Sequence, residues 1–473
     1  GMAVLIAAAI LPLTAGLGLS VDAARGYLVK SRLSQALDAA ALAGGRKVFS
    51  PNRDNDIRMY FHANFPTGFM DATVSDPQIS VDANGETIQV SATAQIPTTL
   101  MRLVGMDTLT VAAETIVKRA NRGMELVLVM DNTGSMASNN KMTAMKAAAT
   151  NLVNILYGSK ETIPNFWVGL LPYVATVNIG NSRTSWLKAG SYNAAAYSPT
   201  VWKGCVEARP SPYEEDQAEA LPSVKGWTPF FWASNKGVIY KDGHNNTVPP
   251  DNAWTPVNEN NSAGNAGTGP NLGCGPAITS LQPSKTTVLN AISQMAPWSR
   301  GGTMANLGLA WAWRMLSPNW RNMWGGNTPA SLPLDYNTPM MDKVVVFLTD
   351  GVNEWYDYPG FAPGCAGVAS PCSFPDADYT AYGRLSEGRL GTTNGTTATN
   401  TINTRMANLC TSMKQKGITI YTILLQTNDQ ATQHLYLHCA SKPEYFFNSP
   451  SSSDLAAICQ NIATQLSNLR LAQ

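Results

Sequence analysis

The sequence predicts an α/β protein built on a doubly wound sheet that carries two long insertions, preceded by a membrane helix and a small α+β region. Three observations predict it. From residue 124 onward, apolar runs of strand length alternate with stretches of helical period. Two of those runs, 125–130 and 343–349, each lead into an aspartate, Asp131 and Asp350, so two strand ends of one parallel sheet would face a common crevice. Finally, residues 2–21 carry no charge, over the roughly 20 residues that a helix needs to cross hydrocarbon.

The elements follow in order. Residues 1–22 are read as a transmembrane anchor in preference to a signal peptide, because no basic leader and no clear small-residue cleavage site accompany the apolar run. Arg25, Lys30 and Arg32 just after the span argue mildly against an outside location. Helical period continues past the span, with Val29, Leu33, Leu37, Ala40 and Ala41 on one face. Alternation then predicts a hairpin, 78–82 and 87–94 about the Asn84-Gly85 turn, and a third strand over 109–117, so that 23–120 forms a helix with a small sheet.

Within 121–473 the pattern predicts strands at 125–130, 166–177, 343–349 and 418–425. Helices are predicted at 141–157, 285–296, 303–316, 400–416 and near 453–470. Two irregular stretches, about 181–283 and 355–398, exceed ordinary loop length and are read as insertions. Trp186, Trp202, Trp227, Trp232 and Trp254 crowd the first of them, as either an adhesive surface or a mini-core.

Composition narrows the function. A net charge of +1 with 14% charged residues leaves no basic field for nucleic acid. The seven cysteines show no CxxC spacing and are read as disulfides of an oxidising compartment such as a bacterial periplasm. Expected pairs are Cys205–Cys274, Cys365–Cys372 and Cys410–Cys439, leaving Cys459 over. There is no GxSxG elbow and no GxxxxGK[ST] loop. Ser138-Asn-Asn-Lys141 and the His434/His438 pair are the remaining footholds for a hydrolase, without the further elements such enzymes need.

The chemistry concentrates in Asp131-Asn132-Thr133-Gly134-Ser135-Met136. A carboxylate and two hydroxyls at alternate positions, with Gly134 permitting the turn, can converge on a hard divalent cation. The bland reading is a helix cap, since Asp, Thr and Ser are ordinary cap residues. Gly301-Gly302-Thr303 opening a helix and Leu348-Thr349-Asp350-Gly351 tip the balance. Together these motifs resemble the metal-ion-dependent adhesion site of von Willebrand factor A domains. The resemblance implies a von Willebrand A-type sheet and Mg²⁺, with Mn²⁺ or Ca²⁺ as alternatives. The ion would be held by the hydroxyls of Thr133 and Ser135, with Thr303 and the carboxylates of Asp131 and Asp350 bound directly or through water. It also implies one open position for an acidic side chain of a partner. Thr133 departs from the family pattern, which has serine there; its added methyl stiffens χ1 beside the ion.

A narrower resemblance spans most of the chain. Val21-Asp-Ala-Ala-Arg-Gly-Tyr-Leu28, Ala39-Ala-Ala-Leu-Ala-Gly-Gly45, Trp202-Lys-Gly-Cys-Val-Glu-Ala-Arg209, the 307–318 segment and Leu469-Arg-Leu471 are similar to TadG-type proteins of tight-adherence (Flp) pilus systems. That resemblance implies a pilin-like anchor followed by a von Willebrand A domain, non-enzymatic, acting in envelope assembly or adhesion. Expected partners are a protein or cell-surface ligand, the membrane, and other pilus-assembly proteins. The bulk is expected in the periplasm behind an inner-membrane anchor, or exported to the surface. A second reading is a structural minor pilin with a passive A domain; a third, a periplasmic hydrolase.

Overall fold

The computed structural model describes residues 2–46, 52–82, 87–118, 122–215, 217–236, 240–241, 247–248, 252–356, 378–449 and 451–471. Contacts divide the chain into two units, 1–121 with 468–473, and 122–467.

In the first unit, α1 (Met2–Arg46) and α2 (Arg53–Asn64) accompany a four-stranded antiparallel sheet of β1 (Thr73–Val74), β2 (Gln78–Val81), β3 (Thr87–Pro97) and β4 (Thr108–Lys118). The helical stripe Val29, Leu33, Leu37, Ala40 and Ala41 is fully buried. It meets the alternate residues Ile88, Val90, Ala92, Ala94 and Ile96 of β3, together with Ile57 and Phe61 of α2. Helix α2 escaped the sequence pattern because only those two of its residues are buried. The expected hairpin pairs Val81 with Ile88; its turn, Asn84-Gly85, lies outside the described residues. Among the described residues no helix is long and apolar enough to cross a membrane. The side chains of residues 3–15, 17 and 18, on which the expected span depends, lie outside them.

The Val21–Leu28 motif has a physical basis. A Cβ on Gly26 would stand 2.5 Å from Leu109 Cδ2, so glycine lets α1 approach β4 closely. Buried Asp22 accepts backbone N–H groups of Thr99 at 2.9 Å, Leu100 at 3.1 Å and Met101 at 3.0 Å. A carboxylate thus caps the turn Met101–Val104 from another element. Asp22→Ala strips those three amides of their acceptor, and the expected result is loss of hydrogen-exchange protection at 99–101 with the strands of the second unit unaffected. Unchanged protection there would refute the cap.

The second unit alternates strand and helix: β5 (Gly123–Asp131), α3 (Lys141–Tyr157), β6 (Phe166–Tyr173), β7 (Thr279–Gln282), α4 (Lys285–Ser293), α5 (Ala305–Leu316), β8 (Met341–Thr349), α6 (Gly395–Gln415), β9 (Ile418–Leu425), α7 (Gln430–Cys439), β10 (Phe446–Ser449) and, as far as 467, α8 (Ser452–Leu471). The six-stranded sheet runs β7-β6-β5-β8-β9-β10, parallel except for β7. Strand order reverses between β5 and β8, which sets a crevice at their carboxyl ends. Every residue of β5 is buried, as expected of a strand covered on both faces.

Several boundaries differ from expectation: the strand expected at 166–177 ends at Tyr173, and the helix expected at 285–296 ends at Ser293. The helix expected at 303–316 begins at Ala305, because Gly302–Thr303 pairs as a short strand with Glu354–Trp355. Strand β7, the antiparallel edge, lies inside the stretch assigned to the first insertion; four residues without strong alternation gave no signal. The second insertion ends earlier, since α6 starts at Gly395. Residues 357–377 lie outside the described residues, and Cys365 and Cys372 with them. Disulfides join Cys205 to Cys274 and Cys410 to Cys439, while Cys459 is a buried free thiol.

The crowded tryptophans are core. Trp186, Trp202, Trp227 and Trp232 are buried, and Trp254 is half-buried. Trp186, Trp227, Trp320 and Trp324 gather on Trp311 of α5, with ring centroids 4.8–6.4 Å from it. All twelve residues of α5 are buried, because the sheet covers one side and the first insertion the other.

Candidate metal centre

Strands β5 and β8 lie in parallel register, Met130 beside Leu348, so their next residues emerge side by side. Asp131 is fully buried. Its Oδ1 accepts the Thr133 amide at 2.8 Å and the Thr133 hydroxyl at 2.6 Å; its Oδ2 accepts the Thr349 hydroxyl at 2.7 Å and the Tyr173 hydroxyl at 3.2 Å. Burial, then the neighbouring Asp350 charge, push the Asp131 carboxyl up to about 6, against the Thr133 and Thr349 hydrogen bonds that favour its ionised form.

Across the switch point, Asp350 is held from three sides. The Ser135 hydroxyl donates to its Oδ1 at 2.7 Å, the Lys141 ammonium to its Oδ2 at 2.8 Å, and the Thr427 hydroxyl to its backbone carbonyl at 2.7 Å. The Thr133 and Ser135 hydroxyl oxygens are 3.0 Å apart. The Thr133 methyl is absorbed by the fold: the residue is 2% exposed and its hydroxyl keeps the inward direction.

Asn132 and the strand pair bring up the third loop. The Asn132 carbonyl accepts the Trp298 amide at 2.7 Å, and its side chain accepts the Ala296 amide at 3.2 Å. Arg300, Gly301 and Gly302 then take φ of 80°, 86° and 100°, curling the chain toward Thr303. A Cβ on Gly302 would lie 2.2 Å from the Glu354 carbonyl oxygen, so the tight pairing needs glycine. Buried Asp378 fixes the curl, accepting both Arg300 Nε at 2.8 Å and Nη2 at 2.7 Å as well as the Gly301 amide at 2.8 Å. The Ala305 amide donates to Asn353 Oδ1 at 2.8 Å, which caps α5 from the β8 loop.

These loops enclose a cavity of about 260 Å³ lined by Thr133, Ser135, Thr303, Arg300, Glu354 and Tyr356, among others. The three hydroxyls read from the sequence thus share one cavity, and Asp131 and Asp350 bond to its hydroxyls. Reading the sequence did not find Tyr173 or Glu354 as neighbours, nor the role of Lys141. No local motif connects Lys141 to a carboxylate 209 positions away.

The donor set fits a hard cation. Two oxygens bound at 2.0–2.1 Å in octahedral geometry lie roughly 3 Å apart, and the Thr133 and Ser135 hydroxyls meet that spacing at 3.0 Å. Among the described residues no group of three or more His, Cys, Asp or Glu side chains is placed to hold a metal, so a cation here depends on hydroxyls as much as carboxylates. The hydrolase footholds point elsewhere. The Ser138 hydroxyl donates to the Ser135 carbonyl at 2.8 Å, Lys141 is on Asp350, and His438 lies 3.2 Å from the Thr411 hydroxyl.

Comparison with curated proteins gives no match. Among solved structures, the chain is similar to the vWF domain of the type V pili tip protein Mfa5 of Porphyromonas gingivalis, at 12% identity and a TM-score of 0.38, over 75% of this chain and 97% of that one. It is similar to the adhesive tip pilin GBS104 of Group B Streptococcus agalactiae at 11% identity and 0.36, over 73% and 100%. It is also similar to proximal thread matrix protein 1 of the mussel byssus, with a zinc-occupied MIDAS motif, at 13% identity and 0.31, over 74% and 47%. Residues 1–47 match the family model described as putative Flp pilus-assembly TadE/G-like.

Proposed function

We propose that this chain is a non-enzymatic cell-envelope protein of a tight-adherence (Flp) pilus system that binds a protein or surface partner through a metal-ion-dependent site. The spacing of the Thr133 and Ser135 hydroxyls, 3.0 Å apart in the loop that follows β5, carries this reading. The match of residues 1–47 to the TadE/G-like model supports the pilus context. Thr133 and Ser135 would hold Mg²⁺ through their hydroxyls, with Thr303, Asp131 and Asp350 direct or through water. When bound, the ion offers an exchangeable position to a partner's carboxylate. The chain's own part is to keep the donors pointed inward. Tyr173 and Thr349 fix Asp131, Thr427 fixes the Asp350 backbone, and the 302–355 pairing fixes Thr303. An inner-membrane anchor with the bulk periplasmic, or export to the surface, belongs to this reading.

Titration calorimetry of the full chain with Mg²⁺, Mn²⁺ and Ca²⁺ is expected to show one saturable site per chain, abolished by EDTA. Absence of a saturable site for all of these ions excludes the metal mechanism. The family match falls on 1–47 and not on the cavity, which favours a structural minor pilin as the second reading. In that case the chain co-purifies with sheared pili, equally for wild type and for Asp131→Ala.

A further inference from the structure

Lys141 is an unlikely first residue for a helix. Its ammonium sits at the positive end of the α3 dipole, where cations are disfavoured, and lysine is almost never buried without a partner. Its side chain is nevertheless only 11% exposed, and it ends 2.8 Å from Asp350 Oδ2, whose own side chain is wholly buried. The other Asp350 oxygen takes the Ser135 hydroxyl. The ammonium therefore holds the carboxylate by one edge and leaves the opposite edge to the hydroxyl cluster. Nothing in the helix requires this arrangement: the Lys141 amide already bonds the Ser138 carbonyl at 3.0 Å, and an apolar side chain would suit both the dipole and the burial.

The charge around the cavity explains the placement. Asp131, Asp350 and, on the cavity wall, Glu354 bring three carboxylates, and the Lys141 ammonium is hydrogen-bonded to one of them, Asp350. Arg300, the cation that lines the cavity itself, is committed to Asp378. With these groups ionised, a bound divalent cation leaves the cavity neutral in the presence of Lys141 and singly negative without it. A negative cavity holds its cation more tightly and repels an incoming carboxylate.

We propose, on the footing of the metal-site reading above, that Lys141 is a positioning residue and charge-setter: it weakens the hold on the divalent cation and in exchange keeps the loaded cavity open to an anionic partner. The test uses the full chain with Lys141→Met, Lys141→Arg and wild type. Mg²⁺ affinity is measured by calorimetry, and carboxylate binding by relaxation of the acetate methyl signal at the Mn²⁺-loaded site. Lys141→Met is expected to bind Mg²⁺ roughly 10-fold more tightly and acetate at least about 3-fold more weakly, by the Coulomb term of one removed charge, with Lys141→Arg restoring both toward wild type. A purely structural lysine gives the opposite sign for the metal, because a loosened Asp350 weakens it. Mg²⁺ binding that is unchanged or weaker in Lys141→Met, in a protein that melts as wild type does, overturns the inference alone. Wild type that takes up no divalent cation overturns the metal reading and this inference together.

Discussion

Asp131→Asn is expected to reduce Mg²⁺ affinity by at least about 100-fold, since loss of outer-shell partners alone commonly costs 10–100-fold. The same substitution is expected to stabilise the metal-free protein. The sign follows from burial. The Asp131 carboxyl is pushed up to about 6 in the folded chain, above its ordinary value near 4, so folding disfavours its charge. The Asp131 contribution to wild-type stability is therefore fully present below about pH 4, is lost as pH rises through the window from about 4 to about 6, and is level above it. That decline is on the order of 3 kcal/mol for a shift of about two units. Asparagine removes the charge and keeps the volume, and its amide can donate to the Tyr173 and Thr349 hydroxyls, which serve as acceptors equally well. Thermal melts in EDTA across pH 4 to 8 check this. A gap between the Asn and wild-type midpoints that does not widen in favour of Asn from pH 4 to 6, or an Asn variant less stable than wild type at pH 8, contradicts the assignment. Capture of a partner by the full chain is expected to fail in EDTA and in the Asn variant alike.

The largest expected loss of stability lies away from the cavity, at Arg314. Its guanidinium is wholly buried in α5 and donates to the Ala218 carbonyl at 2.9 Å, the Glu214 carbonyl at 3.1 Å and Glu214 Oε1 at 3.0 Å. It stacks 4.5 Å from the Trp311 centroid and 5.1 Å from Trp227. Arg314→Ala leaves the Glu214 carboxylate buried without its cation and two carbonyls without donors, with an expected cost of about 3–5 kcal/mol. Urea unfolding followed by tryptophan fluorescence measures it. A loss below about 1 kcal/mol would show that the first insertion does not depend on α5.

Much of the fold could be read from residue pattern. The apolar runs at 125–130, 343–349 and 418–425 and the stripe on α3 are long and periodic, and each appears where the pattern put it. What escaped has little period to offer. Strand β7 has four residues, α2 buries two, and α7 with β10 closes the sheet through short mixed segments. The tryptophan cluster resisted for another reason. Trp186, Trp227, Trp320 and Trp324 come from separated irregular segments, and only the folded chain brings them to Trp311. At the cavity, type and local spacing disclosed Asp131, Thr133 and Ser135. Lys141 and Glu354 joined them only through tertiary placement, one at a helix start and one across the 302–355 pairing.

Because β7 runs against β6, the first insertion leaves from the carboxyl end of β6 and returns at that same end of the sheet. The second insertion departs from the carboxyl end of β8, beside it. Asn265 of the one and Tyr356 of the other meet at the cavity, the amide donating to the phenol oxygen at 3.1 Å. Among the described residues, both insertions thus reach the same cavity. On the metal-site reading, the residues that would choose a ligand there lie in a different part of the sequence from the β5 and β8 ends that would hold the cation, so the two can vary separately.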